Sequence, residues 1–279
     1  MILCFFLFSS MNYELIEAKG EGEISQIMSP TSDTRVFGKR VYSYSKVEST
    51  NDIAYTLAEQ GAEEGTVVIA IEQTEGKGRV DHYWFSPPRG LWLSLILRPL
   101  MVSSSISQLS LLGALGITTS IKRMFPLLSS GIRWPNDAVI NGKKIGGVLC
   151  RAKNEQRKVV FVIMGIGVNV NIEEFPSPLC FTATSLKRET GCYVPEETFQ
   201  HCLLEELERL YFSFLDDSSA LLQEIRLFSS LLGKQIKVKI NQEELTGLVQ
   251  DIDEKGRLVL RLESGIQRRI GPEEGCISG

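Results

Sequence analysis

The chain has 279 residues, 43% of them hydrophobic, and a formal net charge of −4. This length can bury a full-sized core and leave room for a second small domain. The acidic balance argues against binding to nucleic acid through bulk electrostatics. Only two histidines are present and the six cysteines form no CxxC pair. The sequence therefore indicates neither a zinc site nor a disulfide framework, and the ligands of any metal stay unknown.

Residues 1–38 mix Gly, Ser, Pro and Thr with little periodicity, so we expect a lead-in that is extended or poorly ordered. The apolar opening lacks the basic residue and the cleavage site of a signal peptide, and translation could begin at Met1 or Met11. No apolar run is long enough to cross a bilayer, and no helix-turn-helix pattern is visible. We therefore expect a cytoplasmic protein with no membrane partner and no nucleic-acid partner.

A strand and a helix start are predicted between residues 41 and 58. Alternation at 41–47 predicts the strand, and the apolar residues that follow recur at helical spacing. The run STND at 49–52 lies at the start of this helix, and Ser49 with Asp52 resembles a capping box. Ser49 and Thr50 either cap the helix alone or meet a ligand beside the unpaired N–H groups of the helix start.

The loop QTEGKGRVDHYW at 73–84 joins two predicted strands, 66–73 and 90–98. Its glycines allow backbone N–H groups to approach a ligand, and Lys77 and Arg79 favour an anion beside them. Mobile surface turns have the same composition, so the loop alone leaves both interpretations open.

A long helical pattern at 106–125 precedes the segment GIRWPNDAVINGKKIGGVLCR at 131–151. The Asn-Gly pair at 141–142 predicts a two-residue hairpin turn. Lys144 follows the turn, where it is either a solvated lysine or a ligand-binding cation beside two glycines. The buried strand predicted at 159–171 contains two more glycines, which either relieve crowding in the sheet or make room for a ligand.

The last part of the chain contains two helical patterns and then a change of period. The patterns at 199–214 and 221–228 present core-facing stripes, and we expect Gly233 to close the second helix. From residue 234 the pattern alternates, which predicts a small closed barrel of short strands. Residues 233–279 contain eight basic and eight acidic side chains, so this barrel has no excess charge for nucleic acid.

Five motifs follow one another in a defined order: STN at 49–51, QTEGKGR at 73–79 followed by YWFSP, RWPND at 133–137, KIGGVL at 144–149 and GIGVN at 165–169. In this order and spacing the chain resembles the biotin protein ligases over about residues 40–271. The resemblance implies an α/β (α+β) fold with a mixed central β-sheet flanked by helices. It further implies a lead-in at 1–38, a catalytic domain at 39–232 and an SH3-like barrel at 233–279, without a DNA-binding repressor domain.

Enzymes of this family use ATP and magnesium (Mg2+) to convert biotin to biotinyl-5′-AMP, and they then attach biotin to a lysine of a biotin carboxyl carrier domain. The resemblance implies this chemistry here, with a carrier domain as the protein partner, and it leaves a homodimer open. A carboxylate resists an amine until one of its oxygens becomes a good leaving group, which is the purpose of the adenylate.

The resemblance also implies roles for individual residues, matched position by position. Catalytic residues would be Lys144, Arg79 and Asp137. The biotin pocket would be formed by Ser49, Thr50, Asn51, Gln73, Gly76, Lys77, Gly78, Arg79, Trp84, Lys144, Gly147, Gly165 and Gly167. The nucleotide would be bound by Lys77, Arg79, Arg133, Asn136, Lys144 and Asn169. Asp137 would also help to organise magnesium and take the proton from the carrier lysine.

The loop departs from the pattern GRGRxGRxW of many bacterial members at Lys77, Val80, Asp81 and His82. Lysine lacks the bidentate fork of arginine, and Asp81 adds a negative charge, so we expect looser retention of the adenylate. Two alternatives stay open. One is a lipoate or octanoate attachment enzyme of the same fold, against which the RWPND and KIGGVL motifs and the barrel argue. The other is a non-catalytic protein that senses biotin, against which the three catalytic residues argue.

Overall fold

The computed structural model describes residues 34–80, 82–100, 106–156, 158–240 and 243–278, together with the backbone of residues 15–18 and 24–27. The helices in this part of the chain are α1 (Thr50–Glu59), α2 (Ile106–Met124), α3 (Leu179–Thr182), α4 (Leu186–Thr190), α5 (Glu196–Asp216) and α6 (Ser218–Phe228). The first nine strands are β1 (Leu15–Ala18), β2 (Ile24–Ile27), β3 (Val41–Val47), β4 (Val67–Gln73), β5 (Leu91–Leu97), β6 (Ser130–Arg133), β7 (Asp137–Ile140), β8 (Lys143–Glu155) and β9 (Lys158–Val168). The remaining strands are β10 (Gln235–Ile240), β11 (Glu243–Ile252), β12 (Leu258–Leu262), β13 (Gln267–Ile270) and β14 (Gly275–Ser278).

The first nine strands form one mixed sheet in the order β1-β2-β3-β4-β5-β9-β8-β7-β6. Strands β3 and β4 are parallel, and the other neighbouring pairs are antiparallel. A parallel pair needs a crossover connection, which α1 supplies between β3 and β4. The mixed sheet flanked by helices confirms the fold class expected from the sequence.

Helices cover both faces of this sheet, because successive side chains of a strand point to opposite faces. Leu93 and Leu95 of β5 belong to the main hydrophobic core, which they share with α2 and α5. Ile96 lies on the other face and packs with Ala54 and Ala58 of α1. The face covered by α1 is the one on which the candidate site lies.

The long helix predicted from residue 106 forms as α2 despite two internal glycines, each of which weakens a helix by about 1 kcal/mol. A Cβ at Gly113 would lie 2.9 Å from Val148, and one at Gly116 would lie 2.6 Å from Leu207. Glycine therefore permits α2 to pack closely against both β8 and α5. None of the helices in the described ranges combines the length and the apolar character needed to span a membrane.

The last five strands form a separate antiparallel sheet in the order β13-β12-β11-β10-β14, with β13 and β14 at its ends. The alternation predicts a small closed barrel of short strands; the short strands are confirmed, and they form a five-stranded antiparallel sheet. It is joined to the larger domain through the turn after β11, where the carbonyl of Gly256 accepts a hydrogen bond from Trp134 Nε1 at 2.9 Å. Arg226 of α6 adds a bidentate ion pair with Asp251 of β11.

The ends of several elements differ from expectation. The capping box predicted at the start of α1 is wrong: Ser49 is the N-cap residue, but its hydroxyl makes no capping hydrogen bond. Helix α6 ends at Phe228, so Gly233 does not close it. The N–H of Gly233 instead donates to the carbonyl of Val249, just before β10 begins. After the predicted turn at 141–142, strand β8 is 13 residues long and continues to Glu155.

The lead-in prediction falls mostly on residues outside the described part of the chain. The described backbone there forms β1 and β2, and β2 pairs with β3, so this hairpin extends the central sheet. Near the start of the next described range, residues 35–37 are held by a buried carboxylate: Glu208 of α5 accepts hydrogen bonds from their N–H groups at 2.6 to 2.7 Å.

Candidate active site

A cavity of about 510 Å³ lies on the α1 face of the sheet, enclosed by the loop between β4 and β5. Its walls come from the start of α1, from β4, β7, β8 and β9, and from the segment that follows β9. The structure thus brings together fifteen of the predicted site residues along the cavity wall: Thr50, Asn51, Gln73, Lys77, Gly78, Arg79, Trp84, Arg133, Asn136, Asp137, Lys144, Gly147, Gly165, Gly167 and Asn169.

The floor of the cavity is a row of positions that lie side by side across four strands. Trp92 of β5 is in register with Gly167 of β9, which pairs with Gly147 of β8, which in turn pairs with Asp137 of β7. Two adjacent glycines leave the middle of this row without side chains. Trp84 of the loop covers it, since a Cβ at Gly167 would lie only 2.5 Å from the indole Nε1.

One end of the cavity is a network of neutral polar groups at the start of α1. Gln73 Oε1 accepts hydrogen bonds from the Thr50 N–H at 2.9 Å and the Thr50 hydroxyl at 3.0 Å. The Gln73 amide nitrogen donates to Ser86 Oγ, and Ser94 Oγ lies 2.8 Å from the Thr50 hydroxyl. Each of these side chains is buried and locked by its neighbours, so the helix start is held rigidly against the sheet.

Asn51 is fixed in this network by the glycine opposite it. A Cβ at Gly165 would lie 1.9 Å from Asn51 Nδ2, so any larger residue would displace the amide. Within the described residues, three buried atoms here lack a hydrogen-bond partner: Ser49 Oγ, Asn51 Oδ1 and Trp84 Nε1. Leaving a buried polar group unpaired costs about 1 to 3 kcal/mol. Asn51 and Trp84 line the cavity, so a neutral ligand that both donates and accepts hydrogen bonds would satisfy Asn51 Oδ1 and Trp84 Nε1.

The other end of the cavity is cationic. Lys144 Nζ lies 2.6 Å from Asp137 Oδ1, and Arg133 Nη2 donates to Asp137 Oδ2 at 3.0 Å. Lys144 also lies over the Trp84 ring, 4.8 Å from its centroid. Among the described residues that line the cavity, Asp137 is the only carboxylate, against four Lys and Arg side chains. The excess positive charge favours an anionic ligand at this end.

The loop that covers the cavity is a short hairpin. The Gly78 N–H donates to the His82 carbonyl at 2.7 Å, and the Trp84 N–H donates to the Gly76 carbonyl at 2.8 Å. Arg79 Nη2 donates to the carbonyl of Pro272, so the loop also contacts the C-terminal domain. Asp81, the acidic residue expected to loosen retention of the adenylate, lies outside the described residues.

Two predicted site residues do not line the cavity. Gly76 has a structural reason to be glycine, because a Cβ there would lie 2.4 Å from the Trp84 carbonyl and would break the loop hairpin. Ser49 is 2% exposed and lies behind the cavity wall, one residue before the Thr50 network.

Several residues that shape the site were not found from the sequence. Ser86 and Ser94 complete the Gln73 network, but isolated serines in a loop and in an apolar strand carry no signal. Phe175 and Leu179, after β9, and Ile277 of β14 line the cavity from distant parts of the chain. Nothing in their local sequence predicts that contact.

No grouping of three or more His, Cys, Asp and Glu side chains in the described ranges could hold a metal ion. Asp137 is therefore the one carboxylate that the described cavity offers to a cation, and it already pairs with Lys144 and Arg133. Magnesium commonly takes one or two carboxylates and completes its shell with waters and substrate phosphates. A magnesium ion at this site would therefore rely mainly on waters and substrate phosphates, with Asp137 as the one protein carboxylate within the described cavity.

Comparison with known proteins gives consistent results. Residues 43–169 match the model of the biotin/lipoate A/B protein ligase family, and residues 231–271 match the biotin protein ligase C-terminal domain. The chain is 34% identical to the bifunctional ligase/repressor BirA of Bacillus spizizenii over 92% of this chain and 79% of the relative. It is 31% identical to the biotin--[acetyl-CoA-carboxylase] ligase of Mycobacterium tuberculosis over 76% of this chain and 79% of that protein.

Among solved structures, the biotin protein ligase of Aquifex aeolicus in complex with biotin and ATP is similar. It has a TM-score of 0.74 and 26% sequence identity, and the match covers 85% of this chain and 98% of that one. The two family matches contain strands β4 to β9, which carry the cavity, and strands β10 to β13 of the C-terminal sheet. The chain therefore belongs to the biotin/lipoate A/B protein ligase family and, within it, to the biotin protein ligases.

Proposed function

We propose that this chain activates biotin with ATP to biotinyl-5′-AMP and then transfers biotin to a lysine of a biotin carboxyl carrier domain. The observation that carries the proposal is the cavity itself, which joins a neutral end with unpaired buried polar atoms to a cationic end at Lys144. A neutral polar ring, a carboxylate and a phosphate can occupy these regions in that order. The complex of the Aquifex aeolicus relative with biotin and ATP supports the same pairing of ligands.

The neutral end suits the ureido ring of biotin. Asn51 offers an amide oxygen that lacks a partner, and the hydroxyl of Thr50 belongs to the network that borders the ring. A neutral ring needs hydrogen bonds rather than charge, and the side chains at this end supply them. Gly165 keeps the strand surface clear for Asn51, and Trp84 forms the apolar wall over Gly167.

The cationic end suits the activated carboxyl group. Lys144 at the cationic end would bind both the biotin carboxylate and the α-phosphate, which offsets the negative charge of the adenylation transition state. Arg133, Asn136 and Asn169 would bind the nucleotide, and the loop with Lys77 and Arg79 would exclude water that hydrolyses the adenylate. Asp137 positions Lys144 and Arg133, because its two oxygens bind one cation each.

Magnesium is a further part of the proposal. When bound, it would neutralise charge on the phosphate oxygens. Asp137 is the residue that would hold it, as the carboxylate that the described cavity presents.

In the transfer step, the carrier amine attacks the biotinyl carbonyl carbon. A C–N bond forms, the C–O bond to the phosphate breaks and AMP leaves with the bonding electron pair. The phosphate attracts Lys144 and Arg133, which leaves an oxygen of Asp137 available to accept the proton lost by the amine. We further propose that residues 39–232 form the catalytic domain and residues 233–279 the C-terminal domain that borders it through Ile277.

The test supplies purified protein with ATP and magnesium and then with biotin, lipoate or octanoate, and it measures pyrophosphate release. We expect release with biotin and none above background with the other two acids. Release with lipoate or octanoate but not with biotin would support an attachment enzyme for those acids. Saturable binding of biotin without pyrophosphate release would support a non-catalytic sensor.

A further inference from the structure

Outside the cavity, one carboxylate links three separate elements. Asp52 lies in the first turn of α1, and its Oδ2 atom is 2.5 Å from Lys77 Nζ of the loop. Its Oδ1 atom accepts a hydrogen bond from Arg151 of β8 at 3.1 Å. The helix start that borders the neutral end of the cavity is thus tied directly to the loop that covers it.

The two ion pairs differ in how firmly the cation is held. The Arg151 guanidinium lies 3.9 Å from the centroid of the Tyr55 ring, and Tyr55 packs edge-on against Phe161 of β9. Stacking on an anchored ring fixes the arginine, and the arginine orients the carboxylate. Lys77 has no comparable stacking contact in the described structure. It reaches Asp52 from a loop whose two ends are joined by only a few hydrogen bonds.

The strength of the Asp52 to Lys77 pair suits a contact that must open and close. Both side chains are substantially exposed, 39% for Asp52 and 47% for Lys77. Exposed pairs of this kind are weak and are screened by salt. The carboxylate is further stabilised by the N-terminus of α1, which favours negative charge in the first turn.

We propose that Asp52 is a positioning residue that holds Lys77, and with it the loop, over the cavity, and that it thereby slows escape of the acyl-adenylate. Asp52 does not line the cavity and takes no part in the chemistry. Its loss changes retention of the intermediate and leaves the rate of its formation nearly unchanged. The proposal depends on the proposed function for the identity of the retained ligand.

The test compares Asp52→Asn with the matched control Glu59→Gln. Glu59 is on the same helix and pairs at 3.1 Å with Lys153 of β8, the strand that also carries Arg151, and among the described residues its ion pair is with β8 and not with the loop. The adenylate is formed with biotin and ATP, separated from free ligand, and its release is timed. We expect release about threefold to fivefold faster in Asp52→Asn and adenylation kcat within about twofold of the unsubstituted protein. Glu59→Gln should match the unsubstituted protein, and Asp52→Glu should restore part of the retention.

Salt supplies a second signature. Raising ionic strength should accelerate release more from the unsubstituted protein than from Asp52→Asn, because both proteins have the charge contacts of the cavity with the phosphate but only the unsubstituted protein has the Asp52 to Lys77 pair to be screened. Equal release from Asp52→Asn and the unsubstituted protein would overturn the proposal. If Glu59→Gln accelerated adenylate release as much as Asp52→Asn does, the proposal would also be overturned. The loss of any surface carboxylate on α1 would then be enough to accelerate release, whether or not it contacts the loop.

Hydrogen exchange of the ligand-free protein tests the same contact without any substrate. The amides of Gly78 and Trp84 close the loop hairpin, so they should exchange faster in Asp52→Asn while the amides of α1 stay protected. Faster exchange throughout α1 would instead show loss of helix stability and would overturn the positioning role. If biotin and ATP yield no pyrophosphate, the proposed function fails, and the exchange measurement still decides whether Asp52 holds the loop.

Discussion

Lysine 144 offers the sharpest single substitution, because its expected effects on stability and on rate differ in size. In Lys144→Ala, Asp137 keeps its pair with Arg133 at 3.0 Å, so no uncompensated charge is left in the cavity wall. The lost ion pair and the lost contact with the Trp84 ring are both partly exposed, and together they are worth about 1 to 2 kcal/mol. The protein should therefore remain folded.

The loss of rate should be larger. Removing one preorganised group that stabilises transition-state charge costs about 10²-fold to 10³-fold in kcat, equivalent to about 2.7 to 4 kcal/mol. We expect adenylation by Lys144→Ala, followed by pyrophosphate release, to fall by this factor while the far-ultraviolet circular dichroism spectrum is unchanged.

The neighbouring residue supplies a matched control. Lys143 is exposed at the hairpin turn and does not line the cavity, so Lys143→Ala should retain full adenylation. Adenylation by Lys144→Ala at the rate of the unsubstituted protein would refute the role of Lys144, and an equal loss in both variants would show that hairpin stability rather than charge is responsible.

Three further predictions concern the neutral end of the cavity, the lead-in and the C-terminal domain. Gly165→Ala should raise the KM for biotin at least tenfold with little change in the KM for ATP, because the new Cβ would displace Asn51; unchanged KM values would contradict the placement. Glu208→Gln should lower stability by about 2 to 4 kcal/mol, and the melting temperature by about 5 to 10 °C, because a carboxylate that is 8% exposed loses part of a set of three charge-assisted hydrogen bonds. Two opposing effects act on the pKa of Asp253. Burial raises this pKa, whereas hydrogen bonds from Arg257 and Lys255 lower it by more, so that the net pKa lies below its ordinary value of 3.8. The ionised Asp253 carboxylate therefore stabilises the folded protein above pH 3.8, and this contribution to the free energy of unfolding is lost as the pH falls through the lowered pKa. Asp253→Asn should have a lower free energy of unfolding than the unsubstituted protein at neutral pH. This difference in free energy should narrow below about pH 4, and a difference of constant size would contradict the reasoning.

The elements that could be predicted from the sequence are those with a local cause. The turn at Asn141 and Gly142 has φ angles of 51° and 78°, which few residue pairs adopt easily. The Asn-Gly pair therefore allowed the hairpin that contains Lys144 to be predicted. The strands and long helices followed from the period of their apolar residues. The order and spacing of the motifs then placed Thr50, Gln73 and Lys144 in one site, and the structure brings them to one cavity.

What could not be predicted depends on contacts between distant parts of the chain. Ser49 has the sequence of a helix cap, yet its hydroxyl makes no capping hydrogen bond, and the N–H of the next residue, Thr50, donates to Gln73, 23 residues away. Asp52 was assigned to the same cap, whereas its oxygens bind cations from the loop and from β8. The contact of Arg79 with Pro272 joins residues 193 positions apart, and no local pattern records it.

The most direct measurement of the central claim is the intact mass of a biotin carboxyl carrier domain after incubation with this protein, biotin, ATP and magnesium. The proposed function predicts an increase equal to one biotinyl group, which requires ATP and disappears when the acceptor lysine of the carrier is replaced by arginine. A carrier of unchanged mass, under conditions in which the protein releases pyrophosphate in response to biotin, would contradict the transfer step. An unchanged carrier without pyrophosphate release would contradict the account as a whole.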